Sequence, residues 1–205
     1  PDGPTYPLRA GFCTDCFLVQ LLEQPPLGEM FNESYAFDMA SSQRMMDYYA
    51  GMAADLREKW NPQCVIEVGC NTGGLLQHFA DIPHLGYEPS TNVMKIARAK
   101  GLEVAPRFFG YQSAREERVR LSIATTGEML IATHVFTHIP NLDDFFEGVR
   151  HHLRVTGVVV LEDPSLYEIV RTGAVDHVYD EHSFYLSLPA VKNIAERRGY
   201  EVIDA

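Results

Sequence analysis

The chain has 205 residues and a formal net charge of −11, enough for one domain with a full core plus an appendage, but hardly for two large domains. The acidic balance repels a phosphate backbone, so no nucleic-acid partner is expected. No apolar run approaches the ~20 residues that span a bilayer, and Pro1-Asp2-Gly3-Pro4 lacks the basic-then-apolar pattern of a secretory signal, so a cytoplasmic protein without a membrane partner is expected.

The first thirty residues are rich in proline and turn formers around one apolar stretch, Phe17 to Leu22, and read as a small irregular appendage. Met45, Met46, Tyr49, Met52, Ala53 and Leu56 recur at three- and four-residue spacing, which predicts a helix from about Ser41 to Lys59. Ser41 or Ser42 caps it and Asn61-Pro62 ends it. From Gln63 the pattern becomes strand, loop, helix, repeated. Cys64 to Val68 is a buried strand closed by Gly69, and Gly73 to Ala80 a helix. Leu85 to Glu88 is a second strand, Thr91 to Lys100 a helix ended by Gly101, and Leu102 to Ala105 a weak third strand. After a poorly patterned stretch come a fourth strand, Met129 to Val135, and a helix, Leu142 to Leu153, with Leu142, Phe145, Phe146, Val149 and Leu153 on one face. Gly157 to Glu162 is a fifth strand, Pro189 to Arg198 a helix and Tyr200 to Ile203 a last strand.

Alternating strands and helices imply an α/β fold, a parallel sheet with helices on both faces. Ligands of such sheets sit outside the carboxyl ends of the strands, at the switch point. The expected division is an appendage (1–34), a linker and helix (35–62) and a sheet domain (63–205).

The segment Glu67-Val68-Gly69-Cys70-Asn71-Thr72-Gly73-Gly74 follows the first strand, and its glycines allow a sharp turn and close approach to a ligand. The spacing is not that of a dinucleotide fingerprint. It resembles the loop of Rossmann-like methyltransferases that passes under the amino-acid part of S-adenosylmethionine, which makes Glu67, Gly69, Asn71, Thr72 and Gly73 cofactor contacts. The next strand ends in Glu88-Pro89, and an acid there can accept both ribose hydroxyls of an adenosine. Thr133 and His134, at the end of the fourth strand, are expected beside the cofactor. Phe109 or the segment Gly110 to Ala114 is expected over the adenine.

Two histidines, His134 and His138, lie just past the fourth strand, and Glu162-Asp163-Pro164 follows the fifth. Asp176-His177-Val178-Tyr179-Asp180-Glu181-His182-Ser183-Phe184-Tyr185 interleaves proton-moving groups with Val178, Phe184 and Tyr185, apolar residues for which an exposed loop has no need. The glycine loop, Leu85-Gly86-Tyr87-Glu88-Pro89, His138-Ile139-Pro140-Asn141-Leu142 and Val178-Tyr179-Asp180-Glu181-His182, in this order, resemble the sugar C-methyltransferases of antibiotic deoxysugar pathways. So does Pro7 to Leu21, with the second half of that family's small zinc-binding domain, and Tyr35-Ala36-Phe37 with its linker.

The resemblance implies S-adenosylmethionine as cofactor and a nucleotide-linked 4-keto-deoxysugar as substrate, methylated on carbon through an enolate. It offers His182 as the base with Tyr179 as the competing candidate, Glu181 to orient His182, and His138 and Tyr35 to line the sugar. It also implies a structural zinc in the intact parent, to which Cys13 and Cys16 contribute two ligands. The family commonly has Asp where this loop has Thr72, and often His where this chain has Asp180. The chain begins after the family's upstream cysteine pair and ends before its last strand, so a fragment of such an enzyme is expected. Two other readings stand beside this one, an O- or N-methyltransferase of a small molecule and a cofactor-binding module without turnover. Arg171 and Lys192 are phosphate candidates by position only, and nothing in the sequence encodes an oligomeric state.

Overall fold

The computed structural model describes residues 5–120 and 127–205. The start Pro1 to Pro4 and part of the poorly patterned stretch before Met129 lie outside the described residues.

Strands β1 (Ala10–Phe12) and β2 (Val19–Leu21) form a hairpin around Cys13 and Cys16, followed by the single turn α1 (Leu27–Met30). A 3-10 turn, Met39–Ser41, leads into α2 (Gln43–Trp60). The Ser42 hydroxyl accepts the Met45 N–H, and Asn61, at φ 42°, ends the helix with its N–H on the Arg57 carbonyl; both end signals work as their side chains dictate. Then come β3 (Val65–Val68), a 3-10 helix (Leu76–Phe79), β4 (His84–Tyr87), α3 (Thr91–Ala99), β5 (Val104–Ala105), α4 (Tyr111–Arg120) and β6 (Gly127–Thr133). A 3-10 turn (Phe136–His138), α5 (Leu142–His152), β7 (Leu153–Glu162), α6 (Leu166–Thr172), a 3-10 turn (Val175–His177), β8 (Phe184–Tyr185) and α7 (Leu188–Glu196) complete the order.

Several elements depart from the sequence reading. The segment read as an irregular appendage holds the β1–β2 hairpin, and β8 was not expected as a strand. The helix expected from Gly73 to Ala80 is a run of turns ending in the 3-10 helix: Gly73 has φ 76°, outside the helical region, and a Cβ on Gly74 would lie 3.2 Å from the Tyr49 ring, so packing under α2 shapes the chain here. Helix α4 was not legible because its sequence is largely charged, with Ala114 and Glu117 its buried residues among those described. Helix α6, one turn shorter than periodicity can establish, was also missed. Tyr200 to Ile203 forms no strand; no described strand offers it a partner.

The chain packs as two compact units, Phe31–Thr133 with Leu142–Leu161, and Pro1–Met30 with His134–Asn141 and Glu162–Ala205. They are called here the sheet unit and the histidine unit. The linear division at 34 and 62 is therefore not the division by packing.

In the sheet unit the strand order is β5-β4-β3-β6-β7. The pairs β3–β4, β3–β6 and β4–β5 are parallel. Successive side chains alternate faces. Val65, Met129 and Ile131 pack with Tyr49 and Ala53 of α2 and with Leu75 and Phe79. On the other face the Tyr87 ring meets Phe109 at 5.0 Å and His152 of α5 at 5.7 Å. Helices thus cover both faces, as the strand–helix alternation predicted. Val65, Ile66, Leu130 and Ile131 are all but inaccessible to water, each burial contributing roughly 1.5–3 kcal/mol. Because β4 and β6 flank β3 on opposite sides, the chain leaves β3 at a switch point, and a crevice opens outside its carboxyl end.

In the histidine unit β2 pairs antiparallel with both β1 and β8, with Val19 opposite Tyr185 and Gln20 opposite Phe184. The Leu21 N–H donates to the Ser183 carbonyl at 2.9 Å. Leu21, Ile169 and Tyr185 form the core, with Val19 and Leu166 against it. The cysteine hairpin and the tyrosine-acid-histidine segment thus belong to one sheet. Among the described residues no helix is long and apolar enough to cross a membrane.

Candidate active site

The loop after β3 is built by three left-handed residues, Gly69 (φ 68°), Asn71 (φ 51°) and Gly73 (φ 76°). Only glycine adopts this conformation freely, and asparagine tolerates it. The Gly69 and Cys70 N–H groups both donate to the Tyr87 carbonyl, at 2.8 and 3.1 Å, which ties the loop to β4. A cleft here is lined by Met39, Glu67, Gly69, Asn71, Gly74 and Thr133, among others.

Glu88 follows the carboxyl end of β4, the neighbour of β3. Its carboxylate accepts the Asn71 N–H at 2.9 Å and the Ser90 N–H at 2.8 Å. Burial raises its pKa, and these two donors pull it back. Each carboxylate oxygen retains a second lone pair, so the acid can hold the loop and still accept hydroxyls. Pro89 follows it, half-buried. Glu67 is 3% exposed. Burial pushes its pKa up to about 8, against the Leu76 amide, with the Glu88 charge adding to the rise. Its Oε2 has no hydrogen-bond partner among the described residues. A buried acceptor left open at a cleft, above a glycine loop and beside a strand-end acid, fits a ligand that carries donors. The donor and acceptor types of these residues match the chemistry of an adenosyl cofactor.

Thr72 is wholly buried; its hydroxyl donates to Asp38 Oδ1 at 2.9 Å, and its carbonyl accepts Lys100 Nζ at 2.8 Å. Asp38 was not singled out from sequence, because no local pattern links it to a residue thirty-four positions later. Tyr35 lies in the same unit, its ring 5.4 Å from Phe31 and its carbonyl accepting from Asn92 at 2.6 Å. Phe109, expected over the adenine, is instead engaged with Tyr87, Phe145 and His152. The outward ring is its neighbour Phe108, 6.5 Å from Phe31. The segment Gly110 to Ala114, the other candidate, is the start of α4, anchored by Asp144 on the Tyr111 N–H.

In the histidine unit four of the five residues expected to do chemistry come together; Tyr35 belongs to the sheet unit. The His138 and His182 rings are 5.0 Å apart, and those of Tyr179 and His182 4.2 Å apart. His138 Nδ1 lies 2.8 Å from the Glu181 carbonyl, and His182 Nδ1 2.8 Å from the His177 carbonyl. A carbonyl only accepts, so each Nδ1 carries the proton, and the neutral His182 ring keeps an acceptor lone pair at Nε2. Burial, reinforced by His138, pushes the His182 pKa down to about 4. Burial also pushes Tyr179 up to about 12, with Glu181 adding to the rise. The expectation that Glu181 orients His182 is corrected: the His177 carbonyl does so, and Glu181 acts through its own carbonyl on His138. Adjacent side chains diverge, while a carbonyl five residues back reaches the ring.

His134 stands at φ 54° with its N–H on the Glu162 carbonyl at 2.6 Å and its Nε2 3.1 Å from the Glu162 carboxylate, which raises its pKa. Asp163, beside it in sequence, accepts the Thr137 hydroxyl at 2.8 Å; burial lifts its pKa to about 6. It holds the turn that carries His138. The phosphate candidates are engaged locally, Arg171 with Glu168 and Lys192 with Glu196.

Cys13 and Cys16 sit at the hairpin tip, where backbone N–H groups of Cys16 and Asp15 lower the Cys13 pKa. They offer two of the four ligands that structural zinc takes. Among the described residues no three metal-binding side chains cluster, so these residues do not make a zinc site by themselves.

A family model described as a methyltransferase domain matches residues 39–205. The chain belongs to this family. The chain is 26% identical over 203 residues to the C-methyltransferase NovU of Streptomyces niveus, covering 97% of the chain and 48% of that protein. It thus spans about half the length of the relative, and the resemblance read from its motifs extends to a C-methyltransferase. Among solved structures it is similar to a SAM-dependent methyltransferase from Archaeoglobus fulgidus, with a TM-score of 0.56 at 17% identity, covering 74% of this chain and 68% of that one. It is also similar to the plantazolicin methyltransferase BamL, solved with SAH, with a TM-score of 0.55 at 15% identity, covering 77% and 63% of the two chains. At these identities the likeness is one of fold, and it agrees with the Rossmann-like sheet described above.

Proposed function

We propose that this chain is the cofactor-binding and base-bearing part of an S-adenosylmethionine-dependent C-methyltransferase whose substrate is a nucleotide-linked 4-keto-deoxysugar. The observation that carries the reading is the state of His182, a buried imidazole held neutral with an acceptor lone pair at Nε2 and a phenol against its ring. The 26% identity to a C-methyltransferase supports it.

A carbon beside a ketone becomes nucleophilic only when its proton leaves, the charge passing to oxygen as an enolate. His182 Nε2 takes that proton. Tyr179, held protonated far above neutral pH, serves as a donor to the developing oxyanion rather than as the base. His138 shares the site, its ring 5.0 Å from that of His182. Glu88 and the glycine loop hold the adenosine and amino-acid portions of the cofactor. When bound, S-adenosylmethionine supplies an electrophilic methyl to the carbon. A depressed imidazole pKa lowers the driving force for proton abstraction, but keeps the base unprotonated through the whole neutral range.

His182→Ala in the full-length enzyme tests this. With a dTDP-4-keto-6-deoxyhexose in deuterated buffer, the variant is expected to retain S-adenosylmethionine affinity and to lose solvent exchange at the carbon beside the ketone by about 10²–10⁴-fold. An O- or N-methyltransferase has no need of that exchange, so wild-type exchange in the variant would refute the assignment. The acid limb of the wild-type rate is expected below the ordinary imidazole range of about 6.5, because the charged form of His182 is disfavoured down to about 4.

A further inference from the structure

The outer side of the cofactor loop is clasped by residues 37–39. Asn71 Nδ2 donates to the Phe37 carbonyl at 2.9 Å, and Asn71 Oδ1 accepts the Met39 N–H at 3.3 Å. The amide side chain thus pairs with the backbone on either side of Asp38. Asp38 is thereby carried against the loop, where the Thr72 hydroxyl donates to its carboxylate at 2.9 Å. Thr72 itself is anchored from behind by Lys100 on its carbonyl and by its own N–H on Asn71 Oδ1.

S-adenosylmethionine carries an α-ammonium group on the amino-acid portion that this loop is read to hold. An ammonium offers three donors and a full charge, and it is held best by a carboxylate. The loop between Gly69 and Gly73 contains none. Of the two carboxylates at the crevice, Glu67 is kept neutral near pH 7 by burial, and Glu88 faces the Asn71 and Ser90 amides on the ribose side. Asp38 is half-buried, not sealed. Its carboxylate accepts the Thr72 hydroxyl of this loop, and its neighbour Met39 lines the cleft.

We propose that Asp38 is a binding residue for the cofactor's α-ammonium group, positioned by Thr72, so that a carboxylate from outside the loop sets the preference for a nucleoside that bears an amino acid. The inference rests on the cofactor reading above. It makes Thr72 a positioning residue: its hydroxyl holds Asp38 and does not itself touch the ligand.

Calorimetric titration of this chain tests it, with S-adenosylmethionine, S-adenosylhomocysteine and 5′-methylthioadenosine, which lacks the amino-acid portion. Asp38→Asn keeps the shape and removes the charge. It is expected to weaken the first two ligands by about ten- to a hundredfold and to leave 5′-methylthioadenosine within about twofold. Thr72→Val is expected to show the same selective pattern with a smaller loss. Equal weakening of all three ligands would mean that Asp38 acts only by shaping the loop, and unchanged affinity for S-adenosylmethionine would mean that it does not contact the ammonium; either overturns the proposal. If the folded wild-type chain binds none of the three, the cofactor reading itself fails and takes the inference with it.

Discussion

At the crevice of the sheet unit the buried groups are the acids Glu67 and Glu88, and backbone N–H groups hold Glu88, donated by Asn71 and Ser90. At the candidate base of the histidine unit the groups are the imidazoles of His138 and His182, and backbone carbonyls hold them: His138 donates to Glu181 and His182 to His177. Each unit thus supplies from its main chain the partner that its side chains lack. The consequences for proton chemistry are opposite. Burial lifts Glu67 to about 8 and presses His182 to about 4, so both are neutral near pH 7. The acid is left with an open acceptor that fits a ligand, and the base with an acceptor lone pair that fits a proton.

Glu67→Gln sharpens the contrast in charge. Because the folded pKa of about 8 lies above the ordinary carboxyl value of 4.5, Glu67 favours folding least at high pH: its cost grows as pH rises from about 4.5 to about 8 and is constant above. The variant is therefore expected to gain roughly 4 kcal/mol at pH 8 and little near pH 4.5, read from denaturant midpoints at the two values. A pH-independent difference would count against a buried, neutral Glu67.

The supports differ as well. The loop of the sheet unit rests on close packing with its neighbour β4: at Gly86 a Cβ would lie 2.5 Å from the Cys70 sulfur and 2.9 Å from Leu76. Gly86→Val is expected to destabilise the chain by about 3 kcal/mol through overpacking, and to lower the thermal midpoint by several degrees in a melting scan. An unchanged midpoint would show that this packing is looser than the carbonyl-anchored side.

The smallest effect belongs to the histidine unit. Tyr185 is buried, and its hydroxyl has no partner among the described residues. Tyr185→Phe is expected to leave stability unchanged or to raise it by up to about 1 kcal/mol, since removing an unpaired polar group forfeits no bond. A marked loss in the same denaturant assay would reveal a partner for that hydroxyl.

Much of the sheet unit was readable because its causes are local. Ser42 caps α2 because its hydroxyl reaches the Met45 amide three residues on, and Asn61 ends the helix because it tolerates the left-handed conformation. The glycine loop and Glu88 follow short buried strands whose apolar runs are visible by themselves. The charged helix α4 escaped because periodicity needs apolar residues to show itself. In the histidine segment the residue types were legible and their partners were not: Glu181 is next to His182 in sequence, yet the His177 carbonyl orients that ring.

By itself, then, the sequence determined the alternation of strands and helices, the loop after β3 and the roster of titratable groups, since each depends on residues a few positions apart. Only the tertiary structure decided that the cysteine hairpin shares a sheet with Phe184 and Tyr185, that Asp38 meets Thr72, and which carbonyls set the histidine tautomers. The first two join segments far apart in the chain, and the third depends on how the backbone turns in space; packing, not spacing, brings these atoms within hydrogen-bond reach.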